Sequence, residues 1–300
     1  MKYRVLALQL VMLGINTFVL YAQGSIMNYE HKSLTKNTMD TNDNGFIVIA
    51  HRGARAYYPE NTMAAFRAAI DFDAEMLELD VQLSKDNIPV IFHDTKLDKK
   101  TNGSGFVSDY TLEQLQELDA GSWFDEKFKG EKIPTLVELL EYARGRISVN
   151  IEIKTEAVKD VALYNSENSV EKQVVALIKA LGMKSSVMVS SFDYRAVKRI
   201  KELDPEIYTA LLYEKEQSNG LNPKELVDLY HVDAFNCSGR ELNRKWLDIL
   251  NHNEIPFFVY TINEATQMKK VIEAGAKGIF SDKPDLLKQV SDEMFPSKTE

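Results

Sequence analysis

The chain has 300 residues, 44% of them hydrophobic, enough to build one large domain or two small ones. Asp and Glu outnumber Lys and Arg 45 to 36, a net charge of −9, which argues against a nucleic-acid partner but allows a local basic pocket for a small anion. The one cysteine, Cys237, excludes an intramolecular disulfide and reads as a small buried hydrophobe.

Lys2 and Arg4 precede an almost wholly apolar run over residues 5–20, and small residues follow at 22–25. This predicts an export signal over residues 1–24, hence a periplasmic or secreted protein. A retained membrane anchor is the alternative, although the run is short for a spanning helix. With the signal removed, no stable membrane insertion is expected. Residues 25–45 are polar, lack periodicity and read as a linker, with His31 inert inside it.

From residue 46 onward, short apolar runs alternate with helical patterns. Strands are predicted over 46–51, 76–80, 147–153, 187–192, 207–213, 232–237, 256–262 and 278–281. Helices are predicted over 62–72, 135–144, 169–181, 194–203, 223–230, 243–253, 264–274 and 285–294. Thr135 and Glu138 have capping-box spacing, and Pro223 suits a first helical turn after Asn222. Strands each followed by a helix predict a TIM (β/α)₈ barrel over 46–295. An open doubly wound sheet is the alternative, but its glycine fingerprint is missing after the first strand.

Residues 81–132 interrupt the alternation and predict a small cap subdomain inserted after the second strand. The linker at residues 85–87 is too short for a crossover helix, so the segments on either side should pair as an antiparallel hairpin. Folding about Asp86 pairs residue n with residue 172 − n, which brings His93 against Leu79 or Asp80. A short helix is expected over 111–118.

Alternate residues of a strand share a face, so Glu78 and Asp80 point together, as do Asn150, Glu152 and Lys154, and Ile47, Ile49 and His51. The carboxyl ends of barrel strands build active sites. Glu78, Asp80 and Glu152 therefore converge from adjacent strands. Three buried carboxylates need counter-charge, and a hard divalent cation, Mg²⁺ or Ca²⁺, supplies it. Ion pairing with Arg52 and Lys154 is the plainer alternative. Those two bases suit the charge of a phosphodiester, and His51 and His93 can divide the proton transfers between nucleophile and leaving alkoxide. Glu60, Asn61 and Thr62 are expected to cap the first helix, with Glu60 pairing with Arg52 or standing in the outer shell of a metal. Ser190, Ser191, Phe192, Tyr260, Asn263 and Asp282 lie at strand ends and either shape the pocket around the alcohol or pack the rim. His231 and His252 lie near helix ends and read as structural.

The segments IAHRGARAYYPENT, ELDVQLSKDNIPVIFHD, IPTLVELLEY, NIEIK, VSSF, VYTIN and GIFSDKPD, in this order, resemble the glycerophosphodiester phosphodiesterase family, of the compact bacterial type. The resemblance implies a TIM barrel with a small insertion, one divalent cation, and hydrolysis of a small glycerophosphodiester to sn-glycerol 3-phosphate and an alcohol. It places the metal ligands on Glu78, Asp80 and Glu152, the catalytic pair on His51 and His93, and phosphate contacts on Arg52 and Lys154. Tyr260 stands where many relatives have Trp, so with Phe192 it bears on the shape of the alcohol pocket. A sphingomyelinase-D-like phospholipase and a non-catalytic binding module on the same barrel are the alternatives. A barrel glycosidase leaves both histidines and both bases unexplained.

Overall fold

Strand β1 (Ile47–Ala50) is buried along its whole length, as are β2 (Met76–Leu83), β5 (Val187–Ser191) and β9 (Gly278–Ser281). Such double-sided burial is what strands lined inside by core and outside by helices require. The remaining strands are β3 (Pro89–Ile91), β4 (Ser148–Ile153), β6 (Tyr208–Leu212), β7 (Ala234–Ser238) and β8 (Phe257–Tyr260). The computed structural model describes residues 45–158 and 166–296. The predicted export signal, His31 and all of the linker but Gly45 lie outside the described residues.

The sheet runs β1-β9-β8-β7-β6-β5-β4-β2-β3 and closes through parallel pairing of β1 with β2. Every barrel pairing is parallel. This is the predicted (β/α)₈ barrel. The exception is β3, which runs antiparallel to the upper half of β2 with Val81 opposite Ile91, Gln82 opposite Val90 and Leu83 opposite Pro89. That is the predicted hairpin register.

The helices are α1 (Met63–Asp71), α2 (Leu112–Glu117), α3 (Leu136–Ala143), α4 (Val170–Ala180), α5 (Tyr194–Leu203), α6 (Pro223–Tyr230), α7 (Arg244–His252), α8 (Ala265–Glu273) and α9 (Pro284–Met294). Thr135 and Glu138 form the expected capping box on α3, and Asn222 caps α6 with Pro223 in its first turn. In the first-strand loop, Gly53 has φ +78, and a Cβ there would meet the Ala65 backbone at 2.6 Å. Only glycine lets this loop lie so close to α1.

Inside the barrel, Ile47, Ile49, Met76, Met188, Phe258 and Phe280 fill the space beneath the mouth. Cys237 is buried between barrel and helices, and burial pushes its thiol up to about 12. The insertion has its own apolar core of Val90, Phe92, Leu97, Val107, Leu115, Ala120 and Ile133. Among the described residues, no helix is long and apolar enough to cross a membrane.

Candidate active site at the carboxyl-terminal mouth of the barrel

Parallel pairing sets Asp80 of β2 beside Glu152 of β4, and Glu78 follows on the same face one layer down. Carboxylate oxygens of Glu78, Asp80 and Glu152 lie within 4.8 Å of one another. Glu78 and Asp80 are 2% and 1% exposed. The Arg52 amide donates to Glu78 Oε2 at 2.7 Å, and Asn61 Nδ2 donates to Asp80 Oδ2 at 2.8 Å. Arg52 Nε stands 3.2 Å from Asp80 Oδ2. Lys154 Nζ lies 2.8 Å from Glu152 Oε1 and 3.3 Å from Asp80 Oδ1. The ion pairs weighed as an alternative to a metal are therefore present.

They do not balance the cluster. Burial pushes Asp80 up, but Lys154 and Arg52 outweigh it and hold that carboxyl far below its usual range. Glu78 is raised well above its ordinary value by burial and by the charges of Asp80 and Glu152. Glu152 is raised by burial and Asp80 despite Lys154. Two neighbouring cations thus leave two of three carboxyls short of counter-charge. The donor set is all oxygen, and buried Asp80 Oδ1 makes no hydrogen bond, its one neighbour of opposite charge being Lys154 Nζ at 3.3 Å. These residues fit a hard divalent cation.

His51 ends the first strand, where its amide bonds Ser281 O. Its Nδ1 donates to Asp282 Oδ1 at 2.7 Å, and Asp282 is held in turn by Asn263 Nδ2 at 2.7 Å. This fixes the proton on Nδ1 and leaves Nε2 as an acceptor. Burial lowers the His51 pKa from its usual value, against the pull of Asp282. His93 arrives on the hairpin, where the preceding Phe92 amide bonds Asp80 O at 2.9 Å, and its Nδ1 pairs with Asp94 Oδ1 at 2.8 Å. Gln82 Nε2 donates to both Phe92 O and Asp94 O at 2.8 Å and so fixes the turn carrying His93.

The rim at β5 and β8, the strands flanking β4 and β9, carries rings. Phe192, just past β5, meets Tyr260 at the end of β8 edge-on with centroids 5.9 Å apart. Tyr260 Oη donates to Tyr213 O at 3.4 Å.

Some sequence expectations need correction. Thr62 alone caps α1, accepting from the Ala65 amide at 3.3 Å. Asn61 instead holds Asp80, and Glu60 pairs with Arg52 at 3.0 Å, as one expectation had it, and with Arg55 at 3.1 Å. Of the two readings of Ser190 and Ser191, packing is the one their contacts fit: Ser190 Oγ accepts from Asn150 Nδ2 inside the barrel, and Ser191 Oγ donates to Ile153 O. His231 and His252 are exposed at the ends of α6 and α7. Gln82, Arg55 and Lys100 escaped the sequence reading. Gln82 shares the face of Glu78 and Asp80, a period-two signal that extends two residues further.

The chain matches the glycerophosphoryl diester phosphodiesterase family over residues 51–286. It is 36% identical to the glycerophosphodiester phosphodiesterase of Caldanaerobacter subterraneus, over 80% of this chain and 96% of that one. With the glycerophosphodiester phosphodiesterase of Bacillus subtilis it shares 30% identity over 96% of this chain and 98% of that one. It is also similar to an Oleispira antarctica phosphodiesterase solved in complex with the product sn-glycerol-3-phosphate, with 29% identity, TM-score 0.73, and coverage of 81% and 96%.

Proposed function

Since the chain belongs to the glycerophosphoryl diester phosphodiesterase family, a family of phosphoric diester hydrolases, we propose that it cleaves glycerophosphodiesters to sn-glycerol 3-phosphate and an alcohol with one divalent cation, Mg²⁺ or Ca²⁺. The observation that carries this reading is the convergence of Glu78, Asp80 and Glu152 with Arg52, Lys154 and two carboxylate-held histidines at one mouth. Held by the three carboxylates, the cation would draw negative charge from the phosphoryl oxygens.

Arg52 and Lys154 add two positive charges beside it, one a planar fork and one a point charge. His51 is the base. Its lowered pKa keeps it neutral, and the Nδ1 bond to Asp282 leaves Nε2 to take the proton of the water whose oxygen bonds to phosphorus as the bond to the leaving alkoxide breaks. The imidazolium that forms is stabilised by Asp282. His93 then gives a proton to the leaving alkoxide, with Asp94 orienting its ring. Phe192 and Tyr260 form an apolar wall for the organic part of the substrate.

The test is release of sn-glycerol 3-phosphate from a panel of glycerophosphodiesters differing only in the alcohol. Release of the alcohol phosphate instead would place the scissile bond on the wrong side of phosphorus and sink the reading. Export is part of the same proposal, supported by Lys2, Arg4 and the apolar run at residues 5–20. Intact mass of the exported protein decides it: retention of residues 1–22 in a membrane fraction would mean an anchor.

A further inference from the structure

Glu60 is 8% exposed, and its one carboxylate faces three cations. Arg52 Nη1 lies 3.0 Å from Oε1, while Arg55 Nη2 at 3.1 Å and Lys100 Nζ at 3.4 Å share Oε2. Together they outweigh burial and lower the Glu60 pKa. Arg52 and Arg55 come from the same loop as Glu60. Lys100 comes from the insertion.

Lys100 is itself held in place. Its ammonium sits 3.8 Å over the Trp123 ring, and Trp123 Nε1 donates to Ala120 O at 2.8 Å. Ala120 belongs to the apolar core of the insertion, which also includes Phe92, the residue before His93. Glu60, His93, Lys100 and Ala120 line one small void between insertion and barrel. The insertion therefore presents both His93 and Lys100 to the mouth from one packed unit.

The Arg52 guanidinium is hydrogen-bonded to Glu60 through Nη1 at 3.0 Å, while Asp80 Oδ2 is an ion-pair neighbour of Nε at 3.2 Å that makes no hydrogen bond with it. Asp80 is also engaged by Asn61 and Lys154 and belongs to the proposed metal set. Glu60 is the anchor outside that set, so the aim of the guanidinium depends on how firmly Glu60 is fixed. A bidentate phosphate contact loses much of its strength when the fork turns by tens of degrees. We propose that Lys100 is a positioning residue: it fixes Glu60, which aims Arg52 at the substrate phosphate, and so makes the insertion a working part of the site. This rests on the reading of Arg52 as a phosphate contact.

The experiment uses Lys100→Met, which keeps the aliphatic stem over Trp123 and removes the charge, with Lys100→Arg as the conservative variant. Lys100→Met should lower kcat/KM for glycerophosphocholine by roughly tenfold and weaken competitive inhibition by inorganic phosphate by a similar factor. Lys100→Arg should recover to within about threefold of the parent. In an Arg52→Gln background, Lys100→Met should cost less than about twofold, because the residue it acts through is gone. Equal losses in both backgrounds, unchanged phosphate inhibition, or loss of fold in Lys100→Met by circular dichroism would each overturn the proposal. Calorimetry with inorganic phosphate separates it from the substrate reading. If no glycerophosphodiester is cleaved, equal phosphate binding by wild type and Lys100→Met still refutes a role for Lys100.

Discussion

The half of the barrel mouth built by β9, β1, β2 and β4 differs from the half built by β5 and β8 in how its side chains are held. In the first, each proposed functional group has named polar partners: Asp282 on His51 at 2.7 Å, Glu60 on Arg52 at 3.0 Å, Glu152 on Lys154 at 2.8 Å, Asn61 on Asp80 at 2.8 Å. In the second, Phe192 and Tyr260 meet at 5.9 Å between centroids, and the Tyr260 hydroxyl makes one 3.4 Å bond. Polar contacts are directional and costly to leave unmade, whereas ring contacts tolerate repacking. The charged half should thus be intolerant of change and govern the chemical step. The aromatic half should tolerate change and govern which alcohol is accepted.

The largest effect expected is at the carboxylates. Asp80→Asn and Glu152→Gln should each remove more than about 10³-fold of kcat by weakening the metal site, and excess metal should recover part of it. Normal kcat in either variant at stoichiometric metal would break the distinction between the halves.

His51→Ala and His93→Ala should each lower kcat by about 10²–10⁴-fold. The substrate separates their roles. With a p-nitrophenyl leaving group, which needs little protonation, the loss for His93→Ala should shrink while that for His51→Ala persists. Equal losses on both substrates would refute the division of labour.

Asp282→Asn acts one step out from the reacting atoms. Losing the carboxylate frees the tautomer and removes the charge that supports the imidazolium, at a cost of about 10–10³-fold in kcat. The pH profile should move as well. Burial lowers the His51 pKa below 6.5, so the basic form persists below that pH and the acid limb of kcat/KM should fall beneath it. Asp282 raises the His51 pKa, so its loss should shift this limb to still lower pH. A limb that stays fixed would mean that another group titrates.

The smallest effects belong to the rings. Tyr260→Trp and Phe192→Ala should change relative kcat/KM across alcohols by up to about tenfold, the scale of apolar contacts. Turnover of the p-nitrophenyl ester should stay within about threefold.

Much of this division is legible in the sequence. Period two places Glu78 with Asp80 and Glu152 with Lys154, and the short turn at Asp86 sets the hairpin register that delivers His93. Partners on strands far apart in sequence are not legible. His51 meets Asp282 over a separation of 231 residues, a contact made only when β9 closes on β1. Periodicity says which face a residue occupies but not which neighbour awaits it. Ser190 and Ser191 illustrate the limit, since both sit at a strand end yet spend their hydroxyls on β4. Lys100 lies in an irregular segment with no period to read, and its link to Glu60 depends on the packing of the insertion core.

If Glu78, Asp80 and Glu152 hold one divalent cation, hydrolysis should depend on it. The most direct measurement titrates Mg²⁺ or Ca²⁺ into chelator-stripped protein while following the ion bound and the release of sn-glycerol 3-phosphate together. The expected result is no turnover in the stripped protein, one ion bound per chain, and activity returning in proportion to occupancy. Full turnover in excess chelator with no ion bound would contradict it.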